Sequence, residues 1–266
     1  DIIIRARLPL WDGLAAIPEY PFGILPGAGV VELAAVTALA GEVYRRTEKT
    51  VRIERVRPRD ALEFLDTAIK RIEKLRSQEK KLTTAAALLS KKILNSGTIW
   101  VYDRRGALSR ELARKSGSPA FARPITKEQI TDGTLRVIDG LVFASLESNL
   151  PEDLHLIRMA AGVTRTIVTI CPLVEGGGYR IYKEASAGLD NLSPEKEGVR
   201  KFDSNARTYL HTGGILNLTL FWMLMGEVIG SLITEGKIPC CFMGAHLAGS
   251  GKYNAEMEKK ALERGF

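Results

Sequence analysis

The sequence has few of the residues that build covalent or metal-based sites. It contains only three cysteines, and two of them, Cys240 and Cys241, are adjacent, an arrangement that strains a disulfide. The three histidines are scattered, and no two lie at a spacing that places both on one helix face as metal ligands. These scarcities exclude a disulfide-stapled miniprotein and predict no metal and no cofactor. They indicate a reducing compartment, so we expect a cytoplasmic protein.

Standard signatures of nucleotide and hydrolase sites are also missing. No GxxxxGK[ST], HExxH, CxxC or GxSxG pattern occurs in the 266 residues. Two glycine clusters remain, Gly27–Gly29 and Gly176–Gly178, and neither has both the flanking elements and the glycine spacing of a dinucleotide fingerprint.

No uninterrupted apolar run reaches the roughly 18 residues of a membrane span. The most apolar stretch, Gly213–Gly236, includes Trp222 but is interrupted by Glu227 and Glu235. Such a helix is typical of a buried core or a subunit interface. We therefore expect no membrane association, and we predict a homo-oligomer, a dimer or a tetramer.

Positive charge is unevenly distributed along the chain. The net charge is +7, yet residues 45–115 alone hold 20 Lys and Arg against nine Asp and Glu. These charges recur at helical spacing, so we interpret them as solvated helix faces. Nucleic-acid binding is disfavoured because no groove-reading motif accompanies the charge, whereas a small phosphorylated ligand suits it.

Strand–turn–helix units in the middle of the chain predict a parallel sheet. Short apolar runs at residues 98–102, 135–145 and 166–171 alternate with helical patterns at 107–115 and 152–161. Such alternation predicts an α/β fold with helices on both faces of the sheet.

The flanking segments have other patterns. Residues 1–26 hold four prolines and three aromatic side chains, which is typical of an arm that lies on another surface. Residues 174–208 are glycine-rich and charged, and we expect a loop or flap there with at most short strands. The remaining predictions are a helix at 30–46, a helical stretch at 59–95 with a break near 76–79, a short strand at 239–243, and two regions, an arm plus helix (1–58) and an α/β domain (59–266).

Three turns combine polar side chains with the start of a helix: Asp103–Ser109, Ser145–Pro151 and His211–Gly214. In a parallel sheet such turns meet at the carboxyl edge, where backbone N–H groups and helix dipoles attract anions. Each turn alone is equally well explained as a turn with a helix cap. Together they predict a crevice for an anionic ligand. The expected ligand contacts are Arg104, Arg105, Ser109, Ser145, Ser148, Asn149 and Thr212.

Two segments carry a family resemblance. Arg76–Pro119 has an Ala-Ala pair in a helix, a glycine before a hydrophobic strand, and a turn into a second helix. Tyr209–Asn254 has a Thr-Gly-Gly helix start, a helix with Asn217 and Glu227, and a Tyr-Asn ending. This order of features resembles the sugar isomerase (SIS) domain family over roughly residues 60–260, and it is similar to phosphosugar-binding SIS proteins. The resemblance implies a doubly wound sheet of flavodoxin-like type, a sugar-phosphate ligand and a homo-oligomer.

The sequence departs from the family pattern at two turns. The family usually has G-x-G-x-S at the first phosphate turn, where this chain has Asp103 followed by two arginines. The second turn keeps its serines but has lost a Gly and a Thr. A carboxylate would repel a phosphate, whereas arginine side chains would bind one directly.

The resemblance implies two alternative functions. One is a sugar-phosphate isomerase or lyase, which moves a proton next to a carbonyl and needs an acid or base. The candidates are His211, Glu111 and His246, and each also has an ordinary structural explanation. The other is a non-catalytic SIS module that senses a sugar phosphate or serves as an oligomeric structural or regulatory protein. The altered turns favour the second, and the sequence leaves open whether the chain is an enzyme.

Overall fold

A parallel sheet of five strands lies at the centre of the structure, a computed structural model that describes residues 13–15, 18, 20, 22, 24–48, 59–112, 116–173, 180–194, 200–201 and 208–263. The elements before the sheet are β1 (Gly13–Ala15), β2 (Ile24–Pro26), α1 (Ala28–Glu48), α2 (Arg59–Leu75) and α3 (Glu79–Leu94). The sheet and its intervening helices are β3 (Ile99–Asp103), α4 (Ala107–Leu112), β4 (Ala122–Pro124), α5 (Lys127–Thr131), β5 (Gly140–Ala144), α6 (Pro151–Ala161), β6 (Ile167–Cys171) and β7 (Ala187–Asp190). The chain continues with β8 (Arg200–Lys201), β9 (Thr208–Tyr209), α7 (Gly213–Thr234) and α8 (Ser250–Leu262).

The strand order of the sheet is β4-β3-β5-β6-β7, and every neighbouring pair is parallel. From β3 the chain moves to one side to form β4 and then returns to the other side of β3 to form β5. The order therefore reverses between β3 and β5, which is the switch point of a doubly wound, flavodoxin-like sheet. The predicted fold class is confirmed.

Alternating side chains of each strand pack against helices on opposite faces of the sheet. Ile99 and Val101 of β3 belong to a core with α3 and α7, whereas Trp100 and Tyr102 pack on the side of α5 and α6. The same alternation holds along β5 and β6, whose residues are all buried. Burial on both faces explains why these strands are continuous apolar runs in the sequence.

Helix α7 is the helix of the described residues that is long and apolar enough to cross a membrane. In this fold it lies inside the core, and 67% of its most apolar 18 residues is buried against the chain itself. Its neighbours are α1, α2, α3 and the sheet. The apolar surface that led us to expect an oligomer is therefore covered within one chain, and that reason for expecting one does not apply.

One local prediction is wrong and two are confirmed. The helical stretch breaks where expected, at a 3-10 turn over Arg76–Gln78. Residues 239–243 form no strand, because only a single bridge links Cys241 to Pro119. The region predicted to be a loop or flap with at most short strands contains only short ones among its described residues, and one of them, β7, is the fifth strand of the sheet and pairs with β6 at its edge.

The described part of the arm docks on its own chain. Tyr20 donates a hydrogen bond from Oη to the Pro239 carbonyl at 2.5 Å, and the ring of Phe22 meets Tyr253 edge-on at 5.6 Å between centroids. Both rings belong to a buried cluster with Ile229 of α7. Residues 1–12 and the domain boundary predicted at residue 58 lie outside the described residues.

Candidate functional site

A crevice of about 1070 Å³ opens at the carboxyl edge of the sheet, at the switch point between β3 and β5. The turns after these two strands form two of its walls, and the start of α7 forms a third. Ligands of open α/β sheets bind at this position because the diverging loops leave a gap there. Its polar and charged lining consists of Thr37, Asp103, Arg104, Arg105, Arg110, Ser145, Glu147, His211 and Asn217.

Asp103 turns its carboxylate onto the start of α4. Its Oδ2 accepts a hydrogen bond from the backbone N–H of Ala107 at 2.7 Å. Its Oδ1 accepts from the N–H groups of Leu108 at 3.1 Å and Ser109 at 3.3 Å. These are the donors that a bound anion would use at a helix start. The chain's own carboxylate thus occupies them, and they cannot serve a ligand.

The three arginines of the crevice have different surroundings. Arg104 pairs with Glu152 and lies 3.9 Å from Asp153 Oδ1, so its charge is already matched. Arg105 and Arg110 have no carboxylate within ion-pair distance among the described residues. Arg110 makes one long hydrogen bond, from Nη2 to the Arg105 carbonyl at 3.5 Å. Two exposed guanidinium groups on this wall are therefore available to an anion.

A buried carboxylate lies behind the crevice wall. Asp153 is fully buried, and its Oδ2 accepts a hydrogen bond from Ser145 Oγ at 2.6 Å. Burial raises the pKa of Asp153 above its usual value, although the Ser145 hydroxyl and the charge of Arg104 act in the opposite direction. Burial, with the Asp153 charge adding to it, also raises the pKa of Tyr102 to about 12. The Ser145 hydroxyl thus links the crevice to a titratable group in the wall.

Asn217 of α7 forms hydrogen bonds to the segments that follow β5 and β7, at the base of the crevice. Its Nδ2 donates to the Ser145 carbonyl at 3.0 Å, and its Oδ1 accepts from Asn191 Nδ2 at 2.7 Å. Asn191 follows β7, and its Oδ1 accepts from the backbone N–H of Ser193 at 2.9 Å. This buried amide pair fixes the ends of β5 and β7 relative to α7.

The start of α7 faces the same crevice through His211 and Gly214. Thr212 precedes the helix, but its hydroxyl accepts a hydrogen bond from Arg71 Nη1 at 2.5 Å and makes no cap bond to the helix. No acidic side chain lies in the first turn of this 22-residue helix. The positive end of the α7 dipole is therefore directed at the crevice without a carboxylate of its own helix to offset it.

The predicted ligand contacts converge in part. Arg104, Arg105 and Ser145 line the crevice, as does the candidate base His211. Ser109 lines a neighbouring cavity of about 900 Å³ that shares Asp103, Arg104 and Arg105 with the crevice. Three other predicted contacts are not in the lining: Ser148, whose hydroxyl accepts from Arg180; Thr212, which is buried; and Asn149, which is exposed.

Two predicted acid–base candidates lie outside the crevice lining. Glu111 is buried on the side of α4 that faces α1, where a Cβ added to Gly29 would overlap Glu111 Oε2. His246 is exposed in the loop before α8, near Ser116. The sequence could not separate these positions from His211, because the faces of a short helix and the path of a loop depend on tertiary packing.

Arg110, Glu147 and Asn217 line the crevice and were not among the predicted site residues. Asn217 was visible in the sequence only as part of the family resemblance. Arg110 follows Arg105 by five residues, and Glu147 stands two residues after Ser145. A signal for Glu147 was thus present in the predicted turn. Among the described residues, no cluster of three or more His, Cys, Asp or Glu side chains could hold a metal ion.

Comparison with known proteins returned no match to a protein-family model and none to a curated protein. Among solved structures, phosphosugar proteins recur. Phosphoheptose isomerase from Neisseria gonorrhoeae is similar at 15% identity and a TM-score of 0.42, over 64% of this chain and 95% of that one. A putative sugar-phosphate isomerase from Listeria monocytogenes is similar at 15% identity and a TM-score of 0.44, over 68% of this chain and 93% of that one. Vibrio vulnificus NanR, solved with ManNAc-6P, is similar at 10% identity and a TM-score of 0.41, over 75% of this chain and 66% of that one.

Proposed function

We propose that this chain binds a sugar phosphate, or a similar small anion, in the crevice at the switch point. The observation that carries the proposal is the pair Arg105 and Arg110, whose guanidinium groups line the crevice without a carboxylate partner among the described residues. Guanidinium groups bind phosphate oxygens in a two-pronged geometry, and these charge-assisted hydrogen bonds are about twice as strong as neutral ones. The phosphate would be held by side chains, since Asp103 occupies the backbone donors of α4.

Other features of the crevice suit the sugar and the charge of such a ligand. The α7 dipole favours an anion near His211 and Gly214. Thr37 and Glu147 also line the crevice, and a threonine hydroxyl and a carboxylate can hydrogen-bond sugar hydroxyls. The volume of about 1070 Å³ is at the upper end of small-molecule pockets, which leaves room for a phosphorylated sugar.

A sugar-phosphate isomerase or lyase is the second candidate, and one observation favours it. Glu147 and His211 line the same crevice as the two arginines. Proton transfer between adjacent carbons needs one group that removes the proton and one that polarises or protonates the carbonyl, and a carboxylate with an imidazole meets that need. The non-catalytic alternative remains a binding module that senses the same ligand.

We also propose a cytoplasmic homo-oligomer that assembles through α1 and α2. Five large apolar side chains on these helices are exposed in the single chain. Exposed apolar patches of this kind mark interaction surfaces. The residues are Val36, Leu39, Val43, Leu62 and Ile69.

A thermal-shift panel of sugar phosphates tests the binding proposal. A ligand present at 100 times its dissociation constant stabilises a protein by about 2.7 kcal/mol, which raises the melting temperature measurably. We expect at least one panel member to stabilise the wild-type chain and to have little effect on R105Q/R110Q. Arg165→Gln, an exposed arginine outside the crevice, is the matched control and should respond like the wild type. No shift with any member would overturn the proposal.

Catalysis is tested separately by proton exchange in deuterium oxide. An isomerase removes the proton on the carbon next to the carbonyl, so the NMR signal of that C–H in the bound sugar phosphate is lost. We expect E147Q and H211N to keep the thermal shift and lose the exchange. Binding by the wild type without any exchange would support the non-catalytic module instead.

A further inference from the structure

A second cavity lies at the opposite, amino edge of the sheet. It encloses about 540 Å³ between the ends of α3 and α8, the starts of β3 and β4, and the loop before β5. This volume falls within the range of small-molecule pockets. Neither the sequence motifs nor the proposed function uses this cavity.

Apolar surface is concentrated around the cavity. Leu94 and Leu262 line it and are exposed, Leu262 by 64%. Val137 and Ile138, next to the lining residue Arg136, and Ile238, next to Lys237, are exposed as well. Two of the eleven exposed large hydrophobic side chains among the described residues thus line this cavity, and three more lie within two residues of a lining residue. Such a concentration indicates a surface that a ligand covers.

One wall of the cavity is held rigidly by a buried carboxylate. Asp139 accepts hydrogen bonds from the Thr98 backbone N–H at 2.8 Å, from Trp100 Nε1 at 3.1 Å and from Arg136 Nη2 at 3.0 Å. Burial tends to raise the pKa of Asp139, but these donors outweigh it and hold the pKa below its usual value. The indole of Trp100 and the guanidinium of Arg136 are therefore fixed in place before any ligand arrives.

The lining carries positive charge beside an aromatic ring. Arg123, Arg136 and Lys237 line the cavity, and no carboxylate is among its described lining residues. Arg136 is already paired with Asp139, whereas Arg123 is exposed and forms no ion pair among the described residues. Arg123 stands opposite Trp100 in the β3–β4 register, and side chains of paired residues lie on the same face of a sheet.

We infer that this cavity is a second binding site, for a small aromatic acid. The aromatic body packs against Trp100 and the apolar rim, and its carboxylate, sulfonate or phosphate group pairs with Arg123. The site is separate from the crevice, because the two lie at opposite edges of the sheet and share no lining residue.

The test uses 8-anilinonaphthalene-1-sulfonate and its neutral parent, N-phenyl-1-naphthylamine, as fluorescent probes of the full chain. We expect the sulfonate to bind saturably at one site per chain. Arg123→Gln should weaken it about tenfold, the loss of roughly one charge-assisted hydrogen bond, and should change the affinity of the neutral probe by less than about twofold. Leu262→Glu should weaken both probes, because it places a carboxylate in the apolar rim.

Met159→Glu is the matched control, since it also places a carboxylate at an exposed apolar position, in α6 and outside the cavity lining. It should leave both affinities unchanged. The inference is overturned if Met159→Glu abolishes binding while Leu262→Glu does not, or if Arg123→Gln affects the two probes equally. It is also overturned if binding vanishes as the protein concentration rises, because a second copy of the chain then covers the cavity.

Discussion

The carboxylate of Asp103 accepts a hydrogen bond from the backbone N–H of Ala107 at 2.7 Å. The turn after β3 thus already contains a negative charge, which belongs to the chain itself. A carboxylate at this turn is expected to repel a phosphate. The structure adds that the carboxylate takes over the backbone donors themselves. The crevice therefore has arginine side chains, rather than a backbone turn, available to an anion on this wall.

Removing this carboxylate should separate stability from anion affinity. Asp103→Ala removes a helix cap, and we expect it to lower the free energy of unfolding by about 0.5–2 kcal/mol, measured by chemical denaturation. The same change removes a negative charge from the crevice, so affinity for inorganic phosphate should rise. Asp103→Ser keeps a cap acceptor without the charge and should show the gain in affinity with a smaller loss of stability. A loss of phosphate affinity in both variants would contradict this role.

Gly29 has no side chain because the carboxylate of Glu111 occupies the space. A Cβ at Gly29 would overlap Glu111 Oε2. We expect Gly29→Ala to lower the free energy of unfolding by about 1 kcal/mol, the low end of overpacking effects, because the Glu111 carboxylate ends a flexible side chain but is buried and must move. Shortening the partner, in the double variant with Glu111→Ala, should cost less than the sum of the two single changes.

Gly230→Ala is the control for Gly29→Ala. Gly230 lies in α7, and a Cβ there meets nothing within 4 Å. Replacing a helical glycine of this kind with alanine gains up to about 1 kcal/mol. If both alanine variants change stability in the same direction, contact with Glu111 is not what excludes a side chain at Gly29.

Asp153 predicts a specific pH dependence of stability. Its pKa is raised by burial in the folded state, so the folded chain binds a proton there more tightly than the unfolded chain. The stability that Asp153 contributes is therefore lost as the pH rises from the usual pKa of the carboxyl group, 3.8, through its raised pKa in the folded chain. We expect the stability of Asp153→Asn relative to the wild type to increase with pH over that window, in denaturation curves at a series of pH values.

Asp132 should show the opposite trend. Hydrogen bonds from the Thr134 side chain and backbone lower the pKa of this exposed carboxylate. The stability that Asp132 contributes is therefore present above the usual pKa of 3.8 and is lost as the pH falls through the lowered pKa. Asp132→Asn should thus lose relative stability as the pH rises through that window. If the relative stabilities of the two variants changed with pH in the same direction, burial would not be what sets the pKa of Asp153.

Docking of the arm depends on one buried hydrogen bond. Tyr20→Phe removes the donor to the Pro239 carbonyl and keeps the ring, and it should lower the free energy of unfolding by about 1–3 kcal/mol because a buried acceptor is left unpaired. Thermal or chemical denaturation measures the loss. An unchanged stability would show that the arm is held by ring packing alone.

Strands that are covered on both faces, such as β5 and β6, were predictable from the sequence, because burial on both sides makes them continuous apolar runs. For residues 174–208 the sequence predicted at most short strands and did not locate β7, whose residues include Gly188 and Asp190 and show no apolar pattern. This edge strand is held by pairing with β6 and by Gln78, whose side-chain amide donates to the Asp190 carbonyl at 2.6 Å and accepts from the Asp190 N–H at 2.7 Å. A partner 112 residues away leaves no local signal.

The site was predictable to the extent that topology determines it. Turns that follow neighbouring parallel strands meet at one edge, which placed Arg105 and Ser145 in the crevice. Side-chain direction was not predictable, so Ser148 and Thr212 were expected in the lining but bond to Arg180 and Arg71 instead. Arg110 was missed because its position on the crevice depends on how α4 rotates against the sheet.

Anion binding by Arg105 and Arg110 is tested most directly by isothermal titration. The sugar phosphate that gives the largest thermal shift is titrated into the wild type, R105Q/R110Q and the control Arg165→Gln. We expect one ligand per chain, an affinity for R105Q/R110Q at least about tenfold weaker than for the wild type, and no change for Arg165→Gln. Equal affinities of the wild type and R105Q/R110Q would contradict the assignment of the crevice as the phosphate site.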